Sequence, residues 1–272
     1  MRKPSGQALV TGLRRIVELL GRRVVLRRRM PAEFGGGQLF VSPDSGLRYC
    51  RINISNADSN LFRMAAELVR QGDVIWDIGA NIGLFSFAAA GTVGPEGHVV
   101  ALEPDTWLVG LLRRSSNLRA PERAPVVVIP AAVSDSIGLA KLHVSSRGRS
   151  YNFLEGSAAI RTGGTRSTDW VVTVTLDWLL QHLPAPGVLK IDVEGMEHRV
   201  LAGGLKLLAE GRPRIWCEVT PKNADQVTRI LHAANYDIYN GGMEPRQREP
   251  LPRAVWDTLA LPKEVQGVVY PK

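Results

Sequence analysis

Five runs of nearly continuous apolar residues, interleaved with stretches of helical periodicity, limit this chain to few architectures. The runs lie at 74–78 (VIWDI), 98–102 (HVVAL), 126–131 (VVVIPA), 188–193 (VLKIDV) and 214–219 (RIWCEV). Strands apolar on both faces need cover on both faces. The helices expected near 83–90, 105–117, 196–209 and 222–234 therefore place them in a doubly wound, mostly parallel sheet of α/β class. Two later runs, 236–239 (YDIY) and 256–261 (WDTLAL), have only a polar connection between them, which predicts an antiparallel pair closing the sheet.

Of the 272 residues, 44% are hydrophobic and 22% charged, the balance of an ordinary folded domain. No apolar run reaches the roughly 18 residues that a membrane-spanning helix needs. Arginines break up the N-terminal segment too often for a secretory signal. Cys50 and Cys217 are the only cysteines, so no disulfide framework is implied and a reducing, cytoplasmic setting is expected.

The net charge of +8 is local. Nine of the 34 basic residues, but only Glu18 of the 26 acids, fall within residues 1–30, which leaves 25 of each sign elsewhere. The body thus lacks the basic surface that nucleic-acid enzymes place around their active sites, and nucleic acid is not an expected partner. Residues 6–26 set Leu9, Leu13, Ile16, Val17 and Leu20 at helical spacing opposite arginines. A helix there would pack on the body or on a second copy in a homodimer, or lie on an anionic membrane surface. Residues 35–54 read as a β-hairpin turning at Pro43–Gly46, and Asp58 as the cap of a helix over 59–71. The expected division is an appendage at 1–57 and the main domain at 58–272.

The first run of the sheet continues as DVIWDIGANIGLFSF, stopping at Asp77 before Gly79 and Gly83. Glycine costs backbone entropy, so the pair implies either tight strand–helix packing or a ligand close to the backbone. A pyrophosphate-binding turn reads G-x-G-x-x-G; here the middle glycine is missing. The next run ends at Glu103, where a carboxylate can accept both hydroxyls of a ribose. The combination describes a nucleoside site without a pyrophosphate, and S-adenosylmethionine is such a ligand. A nicotinamide oxidoreductase is the disfavoured alternative, and a non-catalytic binding module of the same fold is another.

DVIWDIGANIGLFSF, VVALEPD, AAVSD and LKIDVEGMEHRVLAGG together resemble the FkbM family of S-adenosylmethionine-dependent methyltransferases, over roughly residues 58–262. The resemblance implies a Rossmann-like class I fold of seven strands with an antiparallel last pair. It also implies methyl transfer to a hydroxyl of a sugar, glycolipid or polyketide-type natural product. Asp77 would lie beside the amino-acid end of the cofactor, with Gly79, Ala80, Asn81 and Gly83 forming the turn around it. The backbone at Ala132 and Val133 would border adenine. Asn81 serves either the turn or the ligand, and Asp135 either the adenine amino group or its own loop.

Two carboxylates stand at the end of the fourth run, Asp192 within it and Glu194 just after it. A carboxylate can orient an alcohol and accept its proton as the oxygen attacks. Asp192 is expected to face cofactor and acceptor, while Glu194 assists or caps the next helix. His198 is a packed histidine or a general base, and Glu218 meets substrate or Lys190. No compact ligand spacing supports a metal. The long polar segment 143–170 is the expected wall or lid of the acceptor pocket, or else a surface insertion.

Overall fold

The computed structural model describes residues 21–118, 120–157 and 164–263. Its centre is a 7-stranded sheet. In chain order its strands are β3 (Val74–Ile78), β4 (His98–Leu102), β5 (Val126–Ile129), β10 (Val188–Ile191), β11 (Arg214–Glu218), β12 (Tyr236–Asn240) and β13 (Asp257–Pro262). Across the sheet they run β12-β13-β11-β10-β3-β4-β5. All neighbours are parallel except β13, which is antiparallel to both β11 and β12. The expected closing pair is therefore present.

Alternate side chains feed two layers, as a pleated strand requires. Ile75, Val99 and Ala101 point into one core with α1 (Ser59–Leu68), α2 (Leu84–Val93) and α3 (Thr106–Ser116). Trp76, Val100 and Leu102 point into the other, with α4 (Leu176–Leu180), α5 (Glu197–Ala202) and α6 (Ala224–Ala233). Trp76 is completely buried, and burying a large apolar side chain stabilises by about 1.5–3 kcal/mol. The caps are local: Asp58 accepts from Leu61 N at 3.1 Å, and Asp105 from Trp107 N at 2.9 Å. The expected single helix over 196–209 is broken: α5 ends at Ala202, and Leu207–Gly211 forms a wider π turn.

In the N-terminal region one expectation needs correction. The hairpin over 35–54 does not form. β2 (Gln38–Val41) pairs instead with β1 (Leu26–Arg29), Leu26 opposite Val41 and Arg29 opposite Gln38. Ser42 caps Pro43–Ser45 as a 3-10 turn, and the chain continues into a second such turn, Leu47–Cys50, so no return strand follows. The helix expected over 6–26 falls mostly outside the described residues; from Gly21 the chain is a short 3-10 turn and then β1. Arg27 and Arg28, read as arm residues, are engaged: Arg27 lies over Phe40, and Arg28 Nε donates to Arg51 O. Met30, Leu39 and Val41 share the core of α1–α3.

The described parts of the segment 143–170, residues 143–157 and 164–170, carry regular structure. β7 (Gly138–Ser145) and β9 (Thr165–Val174) pair antiparallel in a second, 4-stranded sheet with β6 (Ala132–Val133) and β8 (Phe153–Leu154). Buried Leu142, Val144 and Val171 hold it down. No helix among the described residues is long and apolar enough to cross a membrane.

Candidate active site

Strand order reverses between β3 and β10, and the carboxyl ends of β3, β4 and β10 open there into a narrow cavity of 80 Å³. Gly79, Asn81, Glu103, Ala132, Val133, Asp192 and Glu194 line it, so the structure brings together most of the residues singled out in the sequence. Sequence reasoning missed Leu108, Leu142 and Met196, which add apolar surface, and Arg149, Ser150, Asn152, Phe153 and Leu154, which form one side. That strip lies within the segment expected to be a wall. Arg149 is anchored there by Asp44 (3.0 Å) and by Asp105, which also accepts from Asn152 Nδ2 at 2.7 Å.

The glycine turn serves packing first. A Cβ on Gly79 would fall 1.9 Å from Asp192 O, and one on Gly83 would fall 2.5 Å from Leu112 Cδ2. Both residues have φ near +80°. Gly79 lines the cavity while letting β3 and the end of β10 approach. Gly83 does not line it; it starts α2, and the adjacent Ala80 is buried in the core. Asp77 also stands behind the wall rather than in it. It is fully buried, accepting from Lys190 Nζ at 3.1 Å and from Ser86 Oγ at 2.6 Å. Burial works against the Lys190 ammonium, yet Asp77 and Asp192 hold its pKa above the usual range.

Glu103 is clamped from both sides. Asn81 N donates to one carboxylate oxygen and Asp105 N to the other, each at 2.9 Å. Burial nevertheless pushes its carboxyl up to about 8. Each oxygen keeps acceptor capacity for a further donor. Asn81, held at φ +53°, has a buried Oδ1 with no hydrogen-bond partner. A carboxylate with spare lone pairs, an unsatisfied amide oxygen and an apolar slot suit a nucleoside carrying two hydroxyls.

A wider cavity of 550 Å³ adjoins the first, and Ser150 and Glu194 line both. Around it stand Arg48, Asp58, Arg147, Tyr151, Glu218, Trp256 and Asp257, of which only Glu218 had been singled out as a substrate residue. Arg48, Asp58, Arg147 and Tyr151 were hidden because the turns and capping loops that supply them carry no periodic pattern, whereas Trp256 and Asp257 open the run read as the last strand. Burial, then Asp192 and Glu197, push Glu194 up to about 8, opposed by Arg48. Asp192 and then burial raise Glu218 to about 8, opposed by Lys190. Burial also raises Asp257.

His198 and Asp135 are not brought into either cavity. Burial lowers the pKa of His198, whose Nδ1 lacks a hydrogen-bond partner. Asp135 is half exposed and meets Arg199 at 3.9 Å. Among the described residues, no group of three or more His, Cys, Asp or Glu side chains could hold a metal ion.

The family model described as the methyltransferase FkbM domain matches residues 77–238. The hexuronic acid methyltransferase AglP of Haloferax volcanii is 28% identical over 219 residues, covering 77% of this chain and 82% of AglP. Among solved structures, the methyltransferase FkbM from Methylobacillus flagellatus KT gives a TM-score of 0.45 at 16% identity, covering 80% of this chain and 57% of that one. A SAM-dependent O-methyltransferase from Thermotoga maritima gives 0.42 at 16% identity, with coverages of 83% and 73%.

Proposed function

Because the chain belongs to the FkbM methyltransferase family, we propose that it moves a methyl group from S-adenosylmethionine to an oxygen of a sugar-type acceptor. The observation that carries this reading is the meeting of two unlike cavities at Glu194. Glu103 would hold the ribose hydroxyls of the cofactor. Leu108, Ala132, Val133 and Leu142 would flank its base, and Asn81 Oδ1 would accept a hydrogen bond. Bound there, the cofactor supplies an electrophilic methyl on a sulfonium. The slot is narrow, so admission of the nucleoside requires the strip 149–154 to shift outward.

On the acceptor side, Arg48, Arg147 and the carboxylates offer donors and acceptors to a polyhydroxylated ring, and half-exposed Trp256 offers a flat face. A hydroxyl presented to Glu194 is oriented by hydrogen bonding and loses its proton to that carboxylate as its oxygen attacks. A carboxyl poised near 8 is a stronger base than an ordinary glutamate, which suits it to the proton at neutral pH. Enforced alignment of the reacting atoms supplies much of the remaining rate. The named relative makes a uronic acid the first acceptor to try.

Two measurements test the reading. Calorimetry should find micromolar binding of S-adenosylhomocysteine and none of NAD. Incubation with methyl-labelled S-adenosylmethionine and a panel of uronic, neutral and amino-sugar glycosides should label at least one of them at oxygen. Tight NAD binding without any response to S-adenosylhomocysteine would overturn the class, and label on nitrogen would overturn the chemistry.

A further inference from the structure

We propose that Glu197 is a positioning residue whose buried carboxylate fixes the turn at Gly195 and so aims Glu194 at the junction of the two cavities. The inference rests on the reading of Glu194 as the proton acceptor. Glu197 is 1% exposed and lines neither cavity. Its oxygens take three donors: Gly195 N at 2.8 Å, Asn223 Nδ2 at 2.6 Å and Thr220 Oγ1 at 3.3 Å. None of the three is a cation. A carboxylate buried among neutral donors is costly to place, and it is tolerated where those bonds are well made.

What the bonds secure is the backbone on either side of Glu194. Gly195 has φ +88°, in the left-handed region where glycine alone is unstrained. Its N–H is held by Glu197, and its carbonyl accepts from Asn223 Nδ2 at 3.0 Å. Upstream, Asp192 N is tied to Ile78 O at 2.9 Å. The segment carrying Asp192 and Glu194 is thus pinned at one end to β3 and at the other to the start of α6. Glu194 sits between the pins.

Glu197 also acts through charge. With Asp192 it opposes ionisation of Glu194, while Arg48 favours it. Asp58, Arg147, Glu218 and Asp257, from the other elements, line the wide cavity together with Glu194. Cys217 and His198 lie in the field of Glu197 on its remaining sides.

The test uses the full chain with 13C-carboxyl glutamate and a 15N backbone, followed by NMR during a pH titration; Glu194 is assigned by the signal missing in E194Q. In E197Q, the Gly195 amide proton should move upfield by roughly 1 ppm as a charge-assisted bond is lost. The Glu194 midpoint should fall by roughly 0.5–1 pH unit with the neighbouring charge gone. Affinity for S-adenosylhomocysteine should stay within about threefold, as Glu197 does not line the nucleoside slot. An unmoved Gly195 amide or an unmoved Glu194 midpoint would overturn the proposal.

Should E197Q fail to fold, E197D keeps the charge but on a shorter stem that withdraws it from Gly195 N. It should shift the Gly195 amide without lowering the Glu194 midpoint, and a Gly195 signal left in place would overturn the proposal equally. A wild-type chain that ignores S-adenosylhomocysteine, or an E194Q enzyme at full turnover, would count against the proposed function. The two resonances report on Glu197 in either case.

Discussion

Two pairs of charged residues occupy matching positions in the central sheet and meet opposite company. On β3 and β10, Asp77 is in register with Lys190, a carboxylate beside an ammonium at 3.1 Å. On β11 and β13, Glu218 is in register with Asp257, a carboxylate beside a carboxylate. Like charges directly opposite across strands are destabilising, opposite ones stabilising. The inner pair is sealed and complete, with Asp77 also satisfied by Ser86. The outer pair lines the wide cavity and leaves acceptor capacity over. The lesson is that the centre of the sheet uses charge to hold β3 against β10, whereas the β11–β13 pair keeps charge available for an acceptor.

Breaking the inner pair should have the largest effect. Lys190→Met leaves Asp77 buried without its cation, which costs about 3–5 kcal/mol. Urea denaturation would measure it, and a loss below 1 kcal/mol would mean that the ion pair is not what holds β3 to β10. At the boundary between the two regions, Glu194→Gln should lower methyl transfer by about 10²–10⁴-fold, the usual range for a general base. Its affinity for S-adenosylhomocysteine should change little, so that turnover and calorimetry separate chemistry from binding.

Above about pH 8, Glu103→Ala should weaken S-adenosylhomocysteine by about 1–3 kcal/mol through loss of a charged acceptor for hydroxyl donors. In the wild type, affinity should rise as pH passes through about 8, where Glu103 ionises and can accept from both hydroxyls. The Ala variant should lose that pH dependence in the same titration.

The smallest effect should come from the outer pair. Glu218 holds its proton up to about 8 when folded, against an ordinary value of 4.5, so the native state binds more protons between those limits. Stability should therefore fall as pH rises from about 4.5 to about 8. Glu218→Gln cannot ionise and should flatten part of that decline, changing little at pH 5 and stabilising by on the order of 1 kcal/mol at pH 9. Thermal melts at the two pH values would test it; equal shifts at both would show that the like-charged pair is not the cause.

The sequence carried the sheet because its signal is local and repeated. Apolar runs such as VIWDI and HVVAL need cover on both faces wherever they fall, and the helices between them supply it. Glu103 and Asp192 were legible for the same reason, since strand ends in such a sheet face the ligand side. The hairpin at 35–54 was misread because turn chemistry at Pro43–Gly46 signals a reversal but not its partner strand. The second sheet was overlooked although DWVVTV alternates, because the surrounding glycines and arginines suggested a loop.

Sequence by itself determined the fold class, the family, the absence of a pyrophosphate turn and the strand-end carboxylates. The family followed from a resemblance carried by four separate blocks, and the rest from residue type and spacing along the chain. Tertiary structure alone decided that Asp77 turns to Lys190 and Ser86 rather than to the cavity, and that Gly83 makes room for Leu112. It alone joined Arg48, Asp58 and Trp256 around one space, and placed Glu194 at the junction of two cavities. Those outcomes depend on which distant segments come within a few ångströms of each other, and on which carboxylate finds a cation when buried. Neither is encoded in a local pattern: the cost of burying a charge is set by its neighbours in space.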